Sequence, residues 1–406
     1  MDRALRLMSE CARIAEMTEE PGRITRRYLT PPMHDVHRHL RGRMEALGMR
    51  VHIDAAGNLR GLWTPHKCRG KRLIIGSHLD SVPNAGAFDG VLGVATALEW
   101  VLLAQEMHLE FPIEVIGFSE EEGVRYGVPF IGSRAVAGCF DPALLALRDS
   151  AGVTLGLAIR DFGLDPSAIG RAELDGDAFG FVEVHIEQGP VLDCEELSVA
   201  AVSAIVGQTR GSAVFTGHAN HAGTTPMHLR RDPMAAAAEW VSFVEELATG
   251  TEGLVATVGR IVAEPNAVNV IPGSVEVSLD CRHADDAVRH SAVNEILTRA
   301  REAGGRRGLT LDWHEHVNQP AVPMDQRLTA LMCDAIRDAG LPVKCITSGA
   351  GHDAMIMATR VPATMLFLRS PGGISHDPDE SVRVEDVEAS LRVARGVLER
   401  LASRVR

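Results

Sequence analysis

Ile74-Ile75-Gly76-Ser77-His78-Leu79-Asp80-Ser81-Val82-Pro83-Asn84-Ala85-Gly86-Ala87-Phe88-Asp89-Gly90 is the stretch on which the reading of this chain turns. Leu73, Ile74 and Ile75 form a short apolar run, the signature of a buried strand. Ser77, His78 and Asp80 follow at its end. Side chains alternate along a strand, so His78 and Asp80 point to one side. That spacing lets a carboxylate accept the ring proton of a metal-bound imidazole and fix its tautomer. Further along, Gly86 and Gly90 bracket Asp89 in a loop that can turn the chain back. The apolar segment Val91 to Leu103 predicts a helix with Asp89 at its N-terminus. On this stretch alone, a strand-end histidine followed by a helix-capping aspartate competes with a metal site.

Bulk properties bound the rest. At 406 residues the chain is too long for one ordinary core and predicts two domains. With 45% hydrophobic and 23% charged residues its composition is that of a soluble globular protein. A net charge of −13 argues against a nucleic-acid partner. No apolar window reaches the roughly 18 residues of a membrane span. The start, Met-Asp-Arg-Ala-Leu-Arg, lacks a secretory pattern. The cysteines at 11, 68, 139, 194, 281, 333 and 345 are scattered and include no Cys-x-x-Cys. Free thiols in a reducing compartment, hence a cytoplasmic location, are the expectation.

Outward from the opening stretch, residues 1 to about 50 read as helical. His34, His37 and His39 lie among Arg38, Arg41 and Arg43, so a solvated helix face is expected there rather than a metal site. Val51 to Trp63 and Arg72 to Leu79 read as strands, Asp89 to about Met107 as a helix, and Pro112 to Phe118 as a strand. Strand and helix alternate, and each strand delivers polar groups at its carboxyl end, as at the site edge of an open α/β sheet. Ser119-Glu120-Glu121-Glu122-Gly123 then reads as a solvated helix start or as a metal-binding carboxylate beside a proton-carrying one. Residues 141 to 180 read as helices and connections. Phe181 to Ile186 is a strand carrying His185, usually the setting of a satisfied core histidine.

Near Gly207 the pattern changes. Ser212 to Thr216 starts a strand, followed by a helix over Asp232 to Leu247 and strands around Val255–Val262 and Val275–Arg282. A helix from Asp285 to about Ala303 and a strand over Leu309 to His316 complete an inserted α+β block. His314 and His316 are read as structural residues of an edge strand. Beyond Pro323 the alternation resumes: helix Asp325 to Ala339, strand Val343 to Ile346, helix His352 to Ala358, strand Ala363 to Leu368 and a terminal helix from Val384. The glycine-rich loops match no phosphate cradle. His376 follows the last strand in Gly-Gly-Ile-Ser-His.

Taken in order, G-S-H-L-D-S, A-F-D-G, S-E-E-E-G, H-I-E-Q-G-P, N-H-A-G-T-T-P-M, N-V-I-P-G, D-C-R-H, S-G-A-G-H-D-A-M and G-G-I-S-H resemble the M20-type dimetal amidohydrolases. Within them the chain looks like the branch of N-carbamoyl-L-amino-acid hydrolases, β-ureidopropionases and allantoate amidohydrolases. The motifs run from residue 76 to 376 and are specific jointly rather than singly. The resemblance implies an α/β, metal-dependent exopeptidase-like catalytic domain over 1–208 and 324–406, with an α+β lid or dimerisation domain inserted at 209–323. It implies two divalent ions per subunit, Zn2+, Mn2+ or possibly Co2+. His78, Asp89 and His185 would hold one and Glu122 and His376 would complete the other, with Asp89 bridging. Glu121 would be the base and Asp80 a supporting carboxylate.

The same resemblance makes His221 the donor to the tetrahedral oxyanion, reaching across from the partner subunit of a homodimer. Arg282, with Asn269 thirteen positions earlier, would grip a substrate carboxylate. Gln188 would contact the ureido end, and His352 would lie near the site. Ala85, Tyr126 and His218 depart from residues frequent in the family, and His218 could alter the pocket. The favoured activity is cleavage of a ureido carboxylate, releasing ammonia and CO2, with allantoate ahead of N-carbamoyl-L-amino acids. A dipeptidase or aminoacylase, and a non-catalytic binding protein, are the alternatives. No nucleic acid or membrane partner is expected.

Overall fold

The strand Arg72–His78 is buried along almost its whole length, and helix Val91–Glu106 after it is buried on nearly every side. An element apolar all round must lie inside, not on a surface. A computed structural model, describing residues 3–405, shows both packed within the same core. Strand 72–78 pairs in parallel with Ile113–Phe118, His78 opposite Phe118. On its other side it pairs in parallel with Ala178–Ile186, which in turn pairs in parallel with Ala363–Leu368. Parallel strands covered on both faces read as continuous apolar runs, which is how these four read.

The full sheet order is 50–53, 59–63, 113–118, 72–78, 178–186, 363–368, 199–205 and 322–323, with 345–348 also on 199–205. Antiparallel strands form its flanks: 59–63 on 113–118 and 199–205 on 363–368. Because the four central strands run the same way, His78, Glu121, His185 and His376 all lie at or beyond their carboxyl ends. Trp100, Phe111, Phe118, Phe181 and Phe367 are among the fully buried side chains behind that edge.

Two local expectations are corrected. Val51 to Trp63 is not one strand but a hairpin, Arg50–Ile53 with Leu59–Trp63. Asp54 breaks it: Oδ1 accepts the backbone N–H groups of Ala56 and Asn58 at 3.0 Å each, a side chain mimicking a turn. The His34–His39 face of helix Pro31–Ala46 is not solvated throughout. His37 is 2% exposed, His34 stacks on Phe162 at 3.7 Å, and His39 Nε2 meets Glu10 at 2.6 Å. The arginines nearby line only the outer side of this helix.

The chain divides into two compact units, residues 1–203 with 324–406, and residues 204–323. The second has its own sheet, in the order 261–264, 274–283, 207–216 and 310–319, with 255–257 on 274–283. Helices Pro233–Gly250 and Asp286–Gly305 cover it, their N-termini capped by Asp232 and Asp285. Its core gathers Phe215, Trp240, Val277 and Ile296, and Trp240 Nε1 donates to the Ile296 carbonyl. Strand 310–319, carrying His314 and His316, lies at the edge of this sheet. All seven cysteines are free, with Cys333 Sγ and Cys345 Sγ 3.1 Å apart. Among the described residues no helix is long and apolar enough to cross a membrane.

Candidate metal centre

The carboxyl edge of the first unit's sheet brings together residues from four separate chain segments. His78 ends its strand and directs Nδ1–H to the Asp80 carbonyl at 3.0 Å. His185 does the same one strand over, Nδ1–H to the Ile186 carbonyl at 2.9 Å. With Nδ1 the donor, each ring presents a bare Nε2. The two Nε2 atoms lie 3.3 Å apart, and both face Asp89 Oδ1, at 3.3 Å from His78 and 3.1 Å from His185. Asp89 Oδ1 accepts no hydrogen bond from any described residue although it is buried. Three lone pairs converge where no donor exists, an arrangement a cation satisfies.

Asp89 turns its other oxygen to a second group. Oδ2 lies 3.3 Å from His376 Nε2, which is 3.4 Å from Glu122 Oε1. Oδ2 also accepts from Gln188 Nε2 at 3.0 Å and Ser375 Oγ at 3.3 Å. Ligand atoms of three sets lie within 4.8 Å of one another: His78, Asp89 and His185; His78, Glu121 and Glu122; and Asp89, Glu122 and His376. Imidazole nitrogens and carboxylate oxygens without thiolate suit a borderline divalent ion. These residues therefore fit the metal site expected at this edge.

Electrostatics record what the cluster costs without a cation. Burial works to raise the Asp89 carboxyl, but the imidazoles of His185, His376 and His78 draw it well below its ordinary range. Burial opposes charge on His78, yet Glu121, Asp89 and Asp80 carry it well above. Asp89 and Glu122 hold His376 at about 10. Burial pushes Glu121 well up; His78 works against that, while Glu122, Asp353 and Asp80 add to it.

The backbone is shaped to permit this. Gly90, at φ 66°, lies against the His78 ring, and any Cβ there would collide with it. Gln188 and His376 are non-glycine residues in the left-handed region, at φ 59° and 56°, and Glu120 joins them at 53°. Such conformations persist only where surroundings over-determine them. Glu120 supplies part of that restraint, its Oε1 accepting the N–H groups of Arg125 and Tyr126 at 2.9 and 3.1 Å.

Asp80 differs from expectation in its partner. Its carboxylate lies 3.9 Å from His78 Nδ1 and holds instead the backbone N–H groups of Glu121 and Glu122, at 3.1 and 3.2 Å. The His78 tautomer is fixed by the Asp80 carbonyl, and the side chain positions the next strand's loop. His352 is buried, its Nε2 2.8 Å from Ser348 Oγ and its ring centroid 4.5 Å from that of His185. Burial and then His185 hold it well below its ordinary value.

Sequence reasoning missed Glu183 and Asp353. Glu183 Oε1 accepts from Ser77 Oγ and Oε2 from the Ala354 N–H. Its place two residues before His185, on the same strand face, was the available signal. Asp353 is fully buried and pushed well up, by burial and then by Glu183.

His221, Asn269 and Arg282 belong to the second unit. The pair Asn220–His221 is hydrogen-bonded to Val270–Ile271, and the Ala222 N–H reaches the Asn269 carbonyl, so His221 and Asn269 are neighbours. His221 is exposed, its Nδ1 accepting from the Gly223 N–H at 3.0 Å. Arg282 is engaged by Asp280 through Nε and Nη2, at 2.8 Å each.

A mixed sheet whose four central strands run parallel, with imidazoles and carboxylates clustered at their carboxyl ends, is the scaffold of a metal-dependent hydrolase. The chain belongs to Peptidase family M20/M25/M40, which it matches over residues 74–400. It is 37% identical to an N-carbamoyl-L-amino acid amidohydrolase of Geobacillus stearothermophilus, over 96% of each chain. It is 36% identical to a probable allantoate deiminase of Oryza sativa subsp. japonica, over 93% of this chain and 84% of that one. A solved amidase of the hydantoinase/carbamoylase family from Burkholderia multivorans superposes with a TM-score of 0.91 at 30% identity, over 98% of this chain and 97% of that one. The family read from the motifs, and the α/β class with it, are borne out.

Proposed function

We propose that this chain is a dinuclear metal-dependent amidohydrolase that cleaves the C–N bond of a ureido carboxylate, releasing ammonia and CO2. Allantoate is the first candidate substrate. N-carbamoyl-L-amino acids are the second, favoured by the 37% identity to a relative of that name over nearly the whole of both chains. The observation that carries the reading is the convergence of His78 Nε2, His185 Nε2 and the unpaired Asp89 Oδ1.

In this reading His78, His185 and Asp89 hold one ion, and Asp89, Glu122 and His376 the other. Zn2+, Mn2+ or Co2+ in those positions would supply an acidified water and a polarised carbonyl. Glu121 takes the proton of the attacking water and delivers it to the departing nitrogen. To take that proton the Glu121 carboxyl must be ionised, a form that burial opposes and that His78, or a cation held beside it, would favour. His221 donates to the tetrahedral oxyanion from the partner subunit of a homodimer. Arg282 and Asn269 take the substrate carboxylate, for which Arg282 must share its guanidinium with Asp280 or leave it. Gln188 and His352 border the ureido end. Free cysteines suit a cytoplasmic setting.

The test is a panel of allantoate, N-carbamoyl-L-amino acids and dipeptides, offered to metal-stripped protein and to protein reloaded with one metal at a time. Ammonia release from allantoate, absent after stripping and restored by reloading, is the expected result. Preference for dipeptides would sink the proposal.

A further inference from the structure

Asp89 is far in sequence from the segment that carries His376, yet one side chain ties the two together. Glu380, 5% exposed, accepts the backbone N–H of Phe88 at 2.9 Å and of Asp89 itself at 3.0 Å, both on Oε1. Its Oε2 lies 3.4 Å from Ser375 Oγ, which in turn reaches Asp89 Oδ2 at 3.3 Å. The Glu380 N–H closes back on the Asp377 carbonyl, completing the turn that follows His376. Gly86 makes room for it, since a Cβ there would collide with the Glu380 side chain.

We infer that Glu380 is a positioning residue for the metal centre: it fixes the Asp89 backbone and the His376 turn in one mutual arrangement, so that the two Asp89 oxygens face their separate groups. Because Asp89 and His376 are metal ligands only in the proposed function, this role stands on that reading. A carboxylate retained merely to satisfy the loop ahead of helix 91–106 would also accept these N–H groups. It would affect folding stability, however, and not the geometry around an ion.

Cobalt uptake separates the two. Metal-stripped wild-type protein, Glu380→Ala and Gly86→Ala are titrated with Co2+ against a chromophoric chelator, recording the visible ligand-field bands, with circular dichroism to verify the fold. Gly86→Ala attacks the same contact from the opposite side, so it carries the test should Glu380→Ala fail to fold. Each folded variant is expected to bind Co2+ about 10- to 100-fold more weakly than wild type, the usual cost of losing support behind a ligand, with altered bands. A folded variant with wild-type affinity and wild-type bands, whatever its melting temperature, overturns the role of Glu380. Wild-type protein that takes up no Co2+ overturns the proposed function itself, and this role with it.

Discussion

The two units handle their polar residues in opposite ways. In the first, His78, Asp89 and His185 are buried almost completely and aimed at one another. In the second, His221 is exposed on a two-residue strand, and the part-exposed Arg282 is paired with Asp280 through Nε and Nη2. Burying unpaired carboxylates and imidazoles is expensive unless something charged compensates. Groups of the same kind left open to water, or paired at the surface, cost little. Under the proposed function the difference becomes a division of labour: the first unit would hold cations and move protons, and the second would recognise the substrate.

The sharpest way to break that division is Glu121→Gln. If proton transfer belongs to the first unit, kcat falls by about 10²–10⁴-fold while metal content, read by elemental analysis, is unchanged. Retention of full turnover would remove Glu121 from the chemistry. His221→Ala is expected to lower kcat by about 10²–10³-fold, the cost of one oxyanion donor. Mixing the two inactive variants under subunit exchange should then restore about a quarter of wild-type activity, because half the dimers are hybrids with one intact site each. No recovery would mean that His221 does not act across an interface.

Arg282→Ala should raise KM for ureido carboxylates by about 10- to 100-fold, the loss of a charge-assisted pair. Turnover of a neutral ureido amide should be little changed, and parallel losses on both would refute carboxylate recognition by Arg282. The smallest effect concerns stability alone. Burial holds His37 down at about 3, below its unfolded value, so the unfolded chain takes the proton first. Its contribution is nil above pH 6.5 and increasingly destabilising as pH falls from 6.5 toward 3. At pH 5 the loss is about 2 kcal/mol. In urea unfolding at pH 5 and 7.5, His37→Leu should narrow the gap between the two midpoints, and an unchanged gap would refute the assignment.

Much of this was legible because strands and motifs are local. The apolar run before His78 survives into the fold as the buried strand 72–78. So do the matching polar endings of strands 113–118 and 178–186. What escaped depends on partners distant in sequence. The buried face of His37 is made by Phe162, which no helical pattern in residues 31–46 could announce. Asp80 falls past the end of its strand, where the backbone donors of Glu121 and Glu122 take its carboxylate in place of the ring. Glu183 hid among apolar neighbours because its partners, Ser77 and the Ala354 N–H, come from other segments. The break at Asp54 lies in Asp54-Ala55-Ala56-Gly57-Asn58, whose turn-forming residues separate the two strands of the hairpin.

Gly90 carries a consequence for how freely this loop can vary. With an imidazole pressed against the place where its side chain would start, position 90 is closed to nineteen of the twenty amino acids for reasons of volume, before chemistry is considered. If codons 83 to 90 were randomised and survivors picked for function, the pool should keep glycine at 90 and favour Asn, Asp or Gly at 84, where φ is 56°, while tolerating diversity at the exposed Pro83.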